Sequence, residues 1–366
     1  MERKNSFKFG IYLTLTLLLC IPLFSFAEEQ EEVTRKIDKV YSITHAHILE
    51  IKNKYGDVEV YTWEKKHAEV SITIISKAST QEKAQSRIDE VDIRERSFGQ
   101  KIQLETRIDG NNLLRYGVNS GVNVNYKIFI PASNPLEIEN KFGNVILEDR
   151  NGNVSVDLNY GDLTAGALNG QGNRLHLQFG KTDIRYVQSG DIDFSFGGLR
   201  VDEAGMLYLK SNASEVTINK VESLELYANM GEIHINEAGD VAGNYTSSKF
   251  TIGKLNQSLD MEVKYATKFE VREIAPEVEK IDIHGNFSSF DLYLDPNANV
   301  NIDAKMENGE LILPDQTWIQ VDSFETETRQ TRYMSKGVNT TSRMARPPIQ
   351  VNVENKFGNV RVHRKE

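Results

Sequence analysis

The chain has 366 residues, enough for one large domain or two ordinary ones. It carries 43 Lys and Arg against 53 Asp and Glu, and the resulting net charge of -10 is spread along the sequence. This balance favours a soluble, self-repelling surface and excludes the basic composition typical of nucleic-acid-binding proteins. Nucleic acid is therefore not an expected partner.

The first 27 residues have the pattern of a secretory signal peptide. Arg3, Lys4 and Lys8 precede an apolar run over 11–24, and Ser25-Phe26-Ala27 provides a small-x-small cleavage site. A membrane anchor is the alternative, but the run is short for a membrane span and has no stop-transfer flank. We predict export through a cleaved signal peptide to the periplasm, the cell surface or the medium, with no stable membrane span afterwards.

Cys20, the only cysteine, lies within that apolar run. Leu19 precedes it, where a lipobox requires a small residue, so lipidation is not expected. Cleavage would leave a mature chain without disulfides or thiol chemistry. Such a protein must hold its fold by burial and backbone pairing.

The mature chain begins with two segments of different character. Residues 28–44 are polar and charged, and they predict a flexible leader. Residues 45–135 alternate apolar and polar positions, the pattern of strands. One short helix interrupts them, because Ser79 and Glu82 have capping-box spacing and Ile88 continues a helical face. We predict an N-terminal β segment whose coils cap the rest of the fold.

A short motif then recurs over residues 136–366. Its clearest copies are Asn140-Lys141-Phe142-Gly143-Asn144-Val145, the C-terminal Asn355–Val360 and the early Asn53–Val58. Between the first two, weaker copies recur 17 to 21 residues apart, each around a two-residue corner. The corners are Phe142-Gly143, Tyr160-Gly161, Phe179-Gly180, Phe196-Gly197, Ala213-Ser214, Met230-Gly231, Ser247-Ser248, Ala266-Thr267, Phe287-Ser288 and Asn308-Gly309.

This period predicts an all-β fold, a single-stranded, right-handed, parallel β-solenoid of about ten coils. Leu175, Leu177 and Phe179 should point inward, and the corner aromatics should stack as a ladder in the core. Glycine should supply the positive φ that each corner needs. A β-sandwich is the alternative, but its strands would not recur with one corner motif.

Residues 312–347 break the pattern, being polar with little apolar alternation. They predict an irregular, exposed loop or hairpin inserted into the repeats. The well-formed corner at Phe357-Gly358 then predicts that the fold resumes as a last coil.

Three features carry a family resemblance. They are Ile48–Val60 followed by Trp63, the segment Tyr126–Pro131 leading into Leu136, and the recurring Phe/Tyr-Gly-Asp/Asn-Val corner. In these the chain resembles the putative-adhesin β-strand-repeat family of exported bacterial proteins, often described as a domain of unknown function. The resemblance covers most of 45–366. It implies a β-helix-like fold at the cell envelope and no catalytic residues. The chain departs from the family at 312–347 and in the corners after Ala213.

No pattern predicts a metal, a cofactor or a catalytic group. His45 and His47 would share one face of a strand, but a third metal ligand is missing nearby. The calcium-solenoid signature is absent, so acidic turn residues favour simple turn chemistry over calcium. They are Asp57, Asp162, Asp191 and Asp240. The one candidate cluster for polysaccharide cleavage is expected by chance at 26% charged residues; it comprises Asp183, Arg185, Asp191 and Asp193.

Outward aromatics near successive coils offer a possible binding surface, namely Tyr186, Tyr208 and Tyr227. They could stack on sugar rings or pack against neighbouring side chains, and the sequence leaves both open.

The sequence therefore predicts an exported, non-enzymatic β-solenoid, an adhesin-like or ligand-binding protein of the bacterial cell envelope. Its partner would be a protein or glycan ligand there. One alternative is a periplasmic structural or signalling protein that docks another envelope protein. A polysaccharide-active enzyme is the less favoured alternative.

Overall fold

The computed structural model describes residues 30–108, 121–296, 298–314, 321–327, 330–335 and 347–365. The predicted signal peptide over 1–27 lies outside this range. In the described part, one hydrogen-bonded sheet joins 22 strands, and α1 (Gln81–Asp89) is the helix. The all-β prediction is confirmed.

Seven strands precede the repeats, and they form both antiparallel pairs and two parallel ones, β2 with β6 and β3 with β7. β1 pairs antiparallel with β4, β4 with β7, and β5 with β6. The strands are β1 (Glu31–Ser42), β2 (Ile48–Lys54), β3 (Val58–Trp63), β4 (His67–Ala78), β5 (Val91–Phe98), β6 (Lys101–Ile108) and β7 (Val122–Pro131).

The predicted flexible leader over 28–44 is wrong, because β1 occupies most of it. Glu31 pairs with Ala78 and the register continues to Ser42. Val33, Ile37 and others alternate along β1 and pack against the core. Glu32, Lys36 and Asp38 stand on the opposite, exposed face, whereas Arg35 and Lys39 share the inner face, where Arg35 donates to Val91 O and Lys39 pairs with Glu95.

The helix packs on β1 and β4. Its N-cap is Thr80 rather than Ser79, since Thr80 Oγ1 accepts from Lys83 N at 3.3 Å. Ala84 and Ile88 are the buried residues of the helix.

Fifteen strands follow, and most pair in parallel with a strand one repeat away. Leu136 lies opposite Val154, and Leu49 of β2 lies opposite Leu136. They are β8 (Leu136–Lys141), β9 (Val145–Leu147), β10 (Val154–Asn159), β11 (Leu163–Leu168), β12 (Asn173–Asn212), β13 (Glu215–Asn229), β14 (Ile233–Ile274), β15 (Lys280–Asn286), β16 (Phe290–Leu294), β17 (Val300–Glu307), β18 (Leu311–Ile312), β19 (Val321–Glu327), β20 (Gln330–Ser335), β21 (Ile349–Lys356) and β22 (Val360–Arg364).

One apolar core runs beneath these repeats. Leu175 and Leu177 are each 2% exposed, as the alternation predicts, while Arg174 lies outside. Further along, Phe250 and Phe269 are fully buried and stack with ring centroids 4.7 Å apart. The column of side chains between the strands is therefore continuous.

The C-terminal repeat is not last in space. β21 pairs in parallel with both β15 and β17, so it lies between two strands that precede it in the chain. β22 likewise pairs with both β16 and β18. The prediction that the C-terminal segment forms the last coil is wrong, because β17 and β18 lie beyond β21 and β22 in the sheet.

Over 312–347 the sequence predicts an irregular, exposed loop or hairpin, and the described residues there include two strands that form a hairpin. β19 and β20 pair antiparallel, and β20 pairs antiparallel with β17. Tyr333 packs against the core and Ser335 is buried, which anchors this hairpin. β20 thus covers the backbone edge that β17 would otherwise expose.

Candidate functional site: an exposed aromatic ladder

The corners of the repeats adopt the left-handed backbone conformation at their first residue, where φ lies between 49° and 69°. Among the corner glycines that the structure describes, Gly231 also has a positive φ, of 115°. Near Ala266 the corner begins one residue earlier than predicted. The left-handed residues are Tyr55, Phe142, Tyr160, Phe179, Phe196, Ala213, Met230, Ser247, Tyr265, Phe287, Asn308 and Phe357.

Glycine follows the aromatic because neighbouring backbones approach closely there. A Cβ on Gly161 would lie 2.0 Å from the carbonyl oxygen of Gly143. A Cβ on Gly180 would lie 1.9 Å from the oxygen of Gly161. The predicted role of glycine in supplying positive φ is therefore wrong for these corners, where the absence of a side chain is what matters.

The asparagine two residues before the aromatic holds the corner from inside. Asn140 is fully buried, and its Nδ2 donates to the carbonyl oxygens of Gly143 at 2.9 Å and Gly56 at 3.0 Å. It therefore satisfies acceptors in its own repeat and in the preceding one. Asn355 does the same for Gly358 and Ser288.

The Asp or Asn after the glycine links successive repeats. Asp57 Oδ1 accepts from Asn144 N at 2.8 Å, and Asn144 Oδ1 accepts from Asp162 N at 3.0 Å. Asp162 Oδ1 in turn accepts from Lys181 N at 2.7 Å. These oxygens are occupied by backbone N–H groups, which supports turn chemistry at these positions.

The corner aromatics stack face to face, as predicted, but outside the core. We call this row the corner ladder. Phe142 is 38% exposed and Phe179 is 40% exposed, so the predicted inward position of Phe179 is wrong. The left-handed residue interrupts the strand alternation and turns its side chain outward. Centroids lie 4.6–5.5 Å apart in the pairs Tyr55–Phe142, Phe142–Tyr160, Tyr160–Phe179, Phe179–Phe196, Tyr265–Phe287 and Phe287–Phe357.

This placement changes the expected cost of removing a ring. We expect Phe179→Asn to lower the free energy of unfolding by about 1 kcal/mol, because two stacking contacts are lost while Asn tolerates the left-handed backbone. Asn308 already occupies an equivalent corner. Urea unfolding should show a severalfold larger loss for Leu177→Ala, and equal losses would contradict the outward assignment.

The predicted tyrosine surface is only partly assembled. Tyr208 and Tyr227 lie 5.5 Å apart, with rings tilted by 45°. The hydroxyl of Tyr227 donates to Glu225, and that of Tyr186 donates to Gln188. These contacts favour packing against neighbours over an open platform.

The candidate carboxylates have separate partners. Arg185 pairs with Asp149 at 2.5 Å, and Asp193 lies 3.6 Å from His176. Asp183 lies 4.0 Å from Arg200, and Asp191 is exposed. The structure does not bring them together in a buried acid–base site.

The predicted histidine pair is not on a strand. His45 and His47 lie in the turn before β2, and His47 Nδ1 accepts from Thr44 N at 3.0 Å. Over the described ranges, no group of three or more His, Cys, Asp or Glu could hold a metal ion.

Sequence reasoning missed a second aromatic group near the N-terminus. The ring centroid of Phe129 lies 5.2 Å from that of Tyr61 and 5.4 Å from that of Trp63. Lys127 and Lys65 lie over the Tyr61 and Trp63 rings at 5.1 and 4.2 Å. The sequence signal for this aromatic group was the alternation of Tyr61 and Trp63 along β3. Because cations cover these half-buried rings, they offer less open surface than the corner ladder.

A cleft of about 940 Å³ lies beside β20, where β15, β17 and β21 form its floor. Its charged lining is largely paired internally. Lys305 lies 2.6 Å from Glu354, and Lys356 lies 3.1 Å from Glu307. A ligand there would have to compete with these ion pairs.

Carboxylates in ion pairs should make the fold sensitive to acid. The backbone N–H of Ala167 and then Arg185 lower the pKa of Asp149, and the hydrogen bond from Arg332 lowers the pKa of Asp303. A carboxylate with a lowered folded pKa contributes stability above its unfolded pKa, and this stability is lost as the pH falls through the folded pKa.

We therefore expect the melting temperature to fall as the pH drops below about 4. Melts at several pH values would test this, with Asp303→Asn as the variant that should show a shallower dependence. A melting temperature that stays constant down to about pH 2 would contradict it.

The described part of the chain contains no helix both long and apolar enough to cross a membrane. No protein-family profile matches the sequence, and no curated protein matches it.

Solved structures resemble the chain over most of its length. One is described as a "putative cell adhesion protein" from Clostridium sporogenes, with 11% identity, 92% of this chain and 100% of that chain covered, and a TM-score of 0.23. A "putative adhesin" from Parabacteroides merdae has 13% identity, 91% and 96% coverage, and a TM-score of 0.35. A "putative lipid binding protein" from Parabacteroides distasonis has 12% identity, 91% and 96% coverage, and a TM-score of 0.24.

The adhesin descriptions agree with the family resemblance predicted from the sequence. Similarity at this level carries no argument about what the chain binds.

Proposed function

We propose that this chain is an exported, non-enzymatic, adhesin-like binding protein of the bacterial cell envelope, built as a right-handed β-solenoid. The observation that carries the proposal is the corner ladder, a row of exposed aromatic rings along one edge of the molecule. Its ligand is a protein or glycan that lies along this edge.

The interpretation of the fold as a solenoid rests on the pairing registers of the strands. Residues that pair between parallel strands lie one repeat apart in the sequence, and the left-handed corners recur with the same spacing. Stacked parallel repeats bury a column of apolar side chains that no single repeat could close. The right-handed sense follows from the crossover rule for parallel strands.

A designed disulfide tests this arrangement. Thr164 and Asp183 are paired and exposed, and paired Cα atoms in adjacent strands lie about 5 Å apart. In residues 28–366 we expect Thr164→Cys with Asp183→Cys to cross-link readily. Thr164→Cys with Arg185→Cys, two residues out of register, should not. The opposite preference would exclude the stacked register.

The ladder is costly to maintain, which favours a role beyond structure. A left-handed L residue costs about 1–2 kcal/mol, and exposed rings gain less from burial than core rings do. Asn308 and Ser247 show that the corner can form without a ring. A line of exposed apolar rings is typical of an interaction surface.

The geometry of the rings indicates how a ligand would bind. Because neighbouring rings cover one another's faces, the ladder presents mainly ring edges to solvent. From Tyr55 to Phe196 the stack spans four repeat steps, or about 19 Å. An extended ligand with an apolar face fits this strip better than a compact small molecule does.

The test is a binding screen of purified residues 28–366 against matrix proteins and polysaccharides, with reaction products monitored. A saturable ligand should be lost with Phe142→Asn combined with Phe179→Asn. The matched control is Tyr227→Asn, which removes an aromatic ring outside the ladder. Binding that resists the double variant but fails with the control would overturn the assignment to the ladder.

A docking role for another envelope protein is the second candidate, and the cleft beside β20 favours it. Crosslinking in cells would then capture a partner through Lys305 or Lys356 rather than through the ladder. Turnover of a polysaccharide that is abolished by Asp191→Asn or Asp193→Asn would instead support the enzyme.

A further inference from the structure

The corner ladder lacks a ring at Ala213. Phe196 precedes this position, and Met230 follows it one repeat later. Gly198 pairs with Glu215, and Ala213 N donates to Asn229 O at 2.9 Å, so all three corners are in register. The row of left-handed corners therefore continues past Ala213 through Met230 and Ser247, and aromatic rings resume at Tyr265.

The size of this gap matches one ring. Two repeat steps separate Phe196 from Met230, about 10 Å in all. Rings within the ladder stack with centroids 4.7–5.4 Å apart between Tyr55 and Phe196. Phe196 is within 6° of parallel to Phe179, so it has not tilted to fill the space. A flat ring above Ala213 would continue the stack with the spacing the protein already uses.

The surroundings of the gap favour a cation. Beside it, a Cβ on Gly198 would meet nothing within 4 Å, so the adjoining surface is open. Glu215 is exposed next to this opening.

We propose that this gap binds one flat aromatic ring that carries a primary amine, as an aromatic amine or as the equivalent group of a larger ligand. The ring stacks between Phe196 and Met230 above Ala213, and the ammonium group lies over Gly198 near the Glu215 carboxylate. This deepens the proposed function, since it names the chemistry that one section of the ladder recognises.

A ring is favoured over an aliphatic chain for a geometric reason. Phe196 presents a flat face to the gap, and parallel stacking of an aromatic ring uses the whole face. Met230 supplies a polarisable thioether, which makes favourable contacts with aromatic rings. An ammonium group close to these rings and to Glu215 gains from both.

Tryptamine is the probe, titrated into residues 28–366 with ligand-observed NMR. We expect saturable binding, with indole-3-acetate about tenfold weaker because its charge is opposite. Ala213→Phe should abolish tryptamine binding without lowering the melting temperature, since it supplies the missing ring. Glu215→Gln should weaken tryptamine about threefold and leave neutral indole unchanged.

Ser247→Phe is the matched control, because it fills a different ring-free corner and should leave tryptamine binding intact. If Ala213→Phe fails to fold, Ala213→Met gives the same test with a flexible side chain. No saturable binding, or equal binding by the wild type and both Ala213 variants, would overturn the proposal.

Failure of this proposal can be told apart from failure of the proposed function. Tryptamine binding at the gap does not require Phe142, whereas the extended ligand does. No saturable tryptamine binding, together with a screen hit that is lost with the Phe142→Asn and Phe179→Asn double variant, would remove only the gap assignment.

Discussion

Replacing Gly161 with alanine should lower the free energy of unfolding by about 3 kcal/mol, far more than a surface substitution does. The new Cβ would stand 2.0 Å from the carbonyl oxygen of Gly143, which belongs to a neighbouring backbone. Neither atom is the end of a flexible side chain, so the two repeats must separate locally and lose part of their hydrogen bonding.

Gly198→Ala is the matched control, since its Cβ would meet nothing within 4 Å and should change stability by less than about 0.5 kcal/mol. Urea unfolding of both variants measures the difference. Ser214 occupies the position that glycine holds in other corners. Its hydroxyl donates to Asn212 O, and the corner forms around this side chain. Equal stability of the two variants would mean that the repeats relax without cost.

The sequence predicts the parts of this fold that depend on periodicity. Alternation places Leu175 and Leu177 in the core correctly, because a strand has a strict period of two. The stacking of the corner aromatics also follows from the spacing of the motif. Their exposure does not, since a single left-handed residue such as Phe179 turns its side chain against the alternation.

Features that depend on distant pairing could not be derived from local pattern. The charged composition of 28–44 conceals β1, whose partners in β4 extend from His67, opposite Ser42, to Ala78, opposite Glu31. The insertion of β21 between β15 and β17 makes the spatial order of these strands differ from their chain order. Which strand edges β21 pairs with is not encoded in any local pattern. The gap at Ala213 was visible as an eroded corner, but its meaning required the exposed ladder on either side.

The largest single effect outside the corners is expected at Arg150. Its side chain is fully buried, and burial lowers its pKa to about 10. The guanidinium donates to the carbonyl oxygens of Asn134 at 2.7 Å, Pro131 at 3.0 Å and Ile130 at 3.4 Å, so its charge meets backbone dipoles. These bonds hold the end of β7 against the first repeats.

Arg150→Ala should therefore lower the free energy of unfolding by about 4 kcal/mol, because it leaves a cavity and strips buried carbonyls of their donors. Arg150→Met keeps most of the volume and isolates the hydrogen-bonding part of that loss. Arg185→Ala is the control, since its exposed ion pair with Asp149 should contribute below about 1 kcal/mol. If Arg150→Met proved as stable as the wild type, the buried guanidinium would be replaceable by packing alone, and its charge would have no part in joining β7 to the repeats.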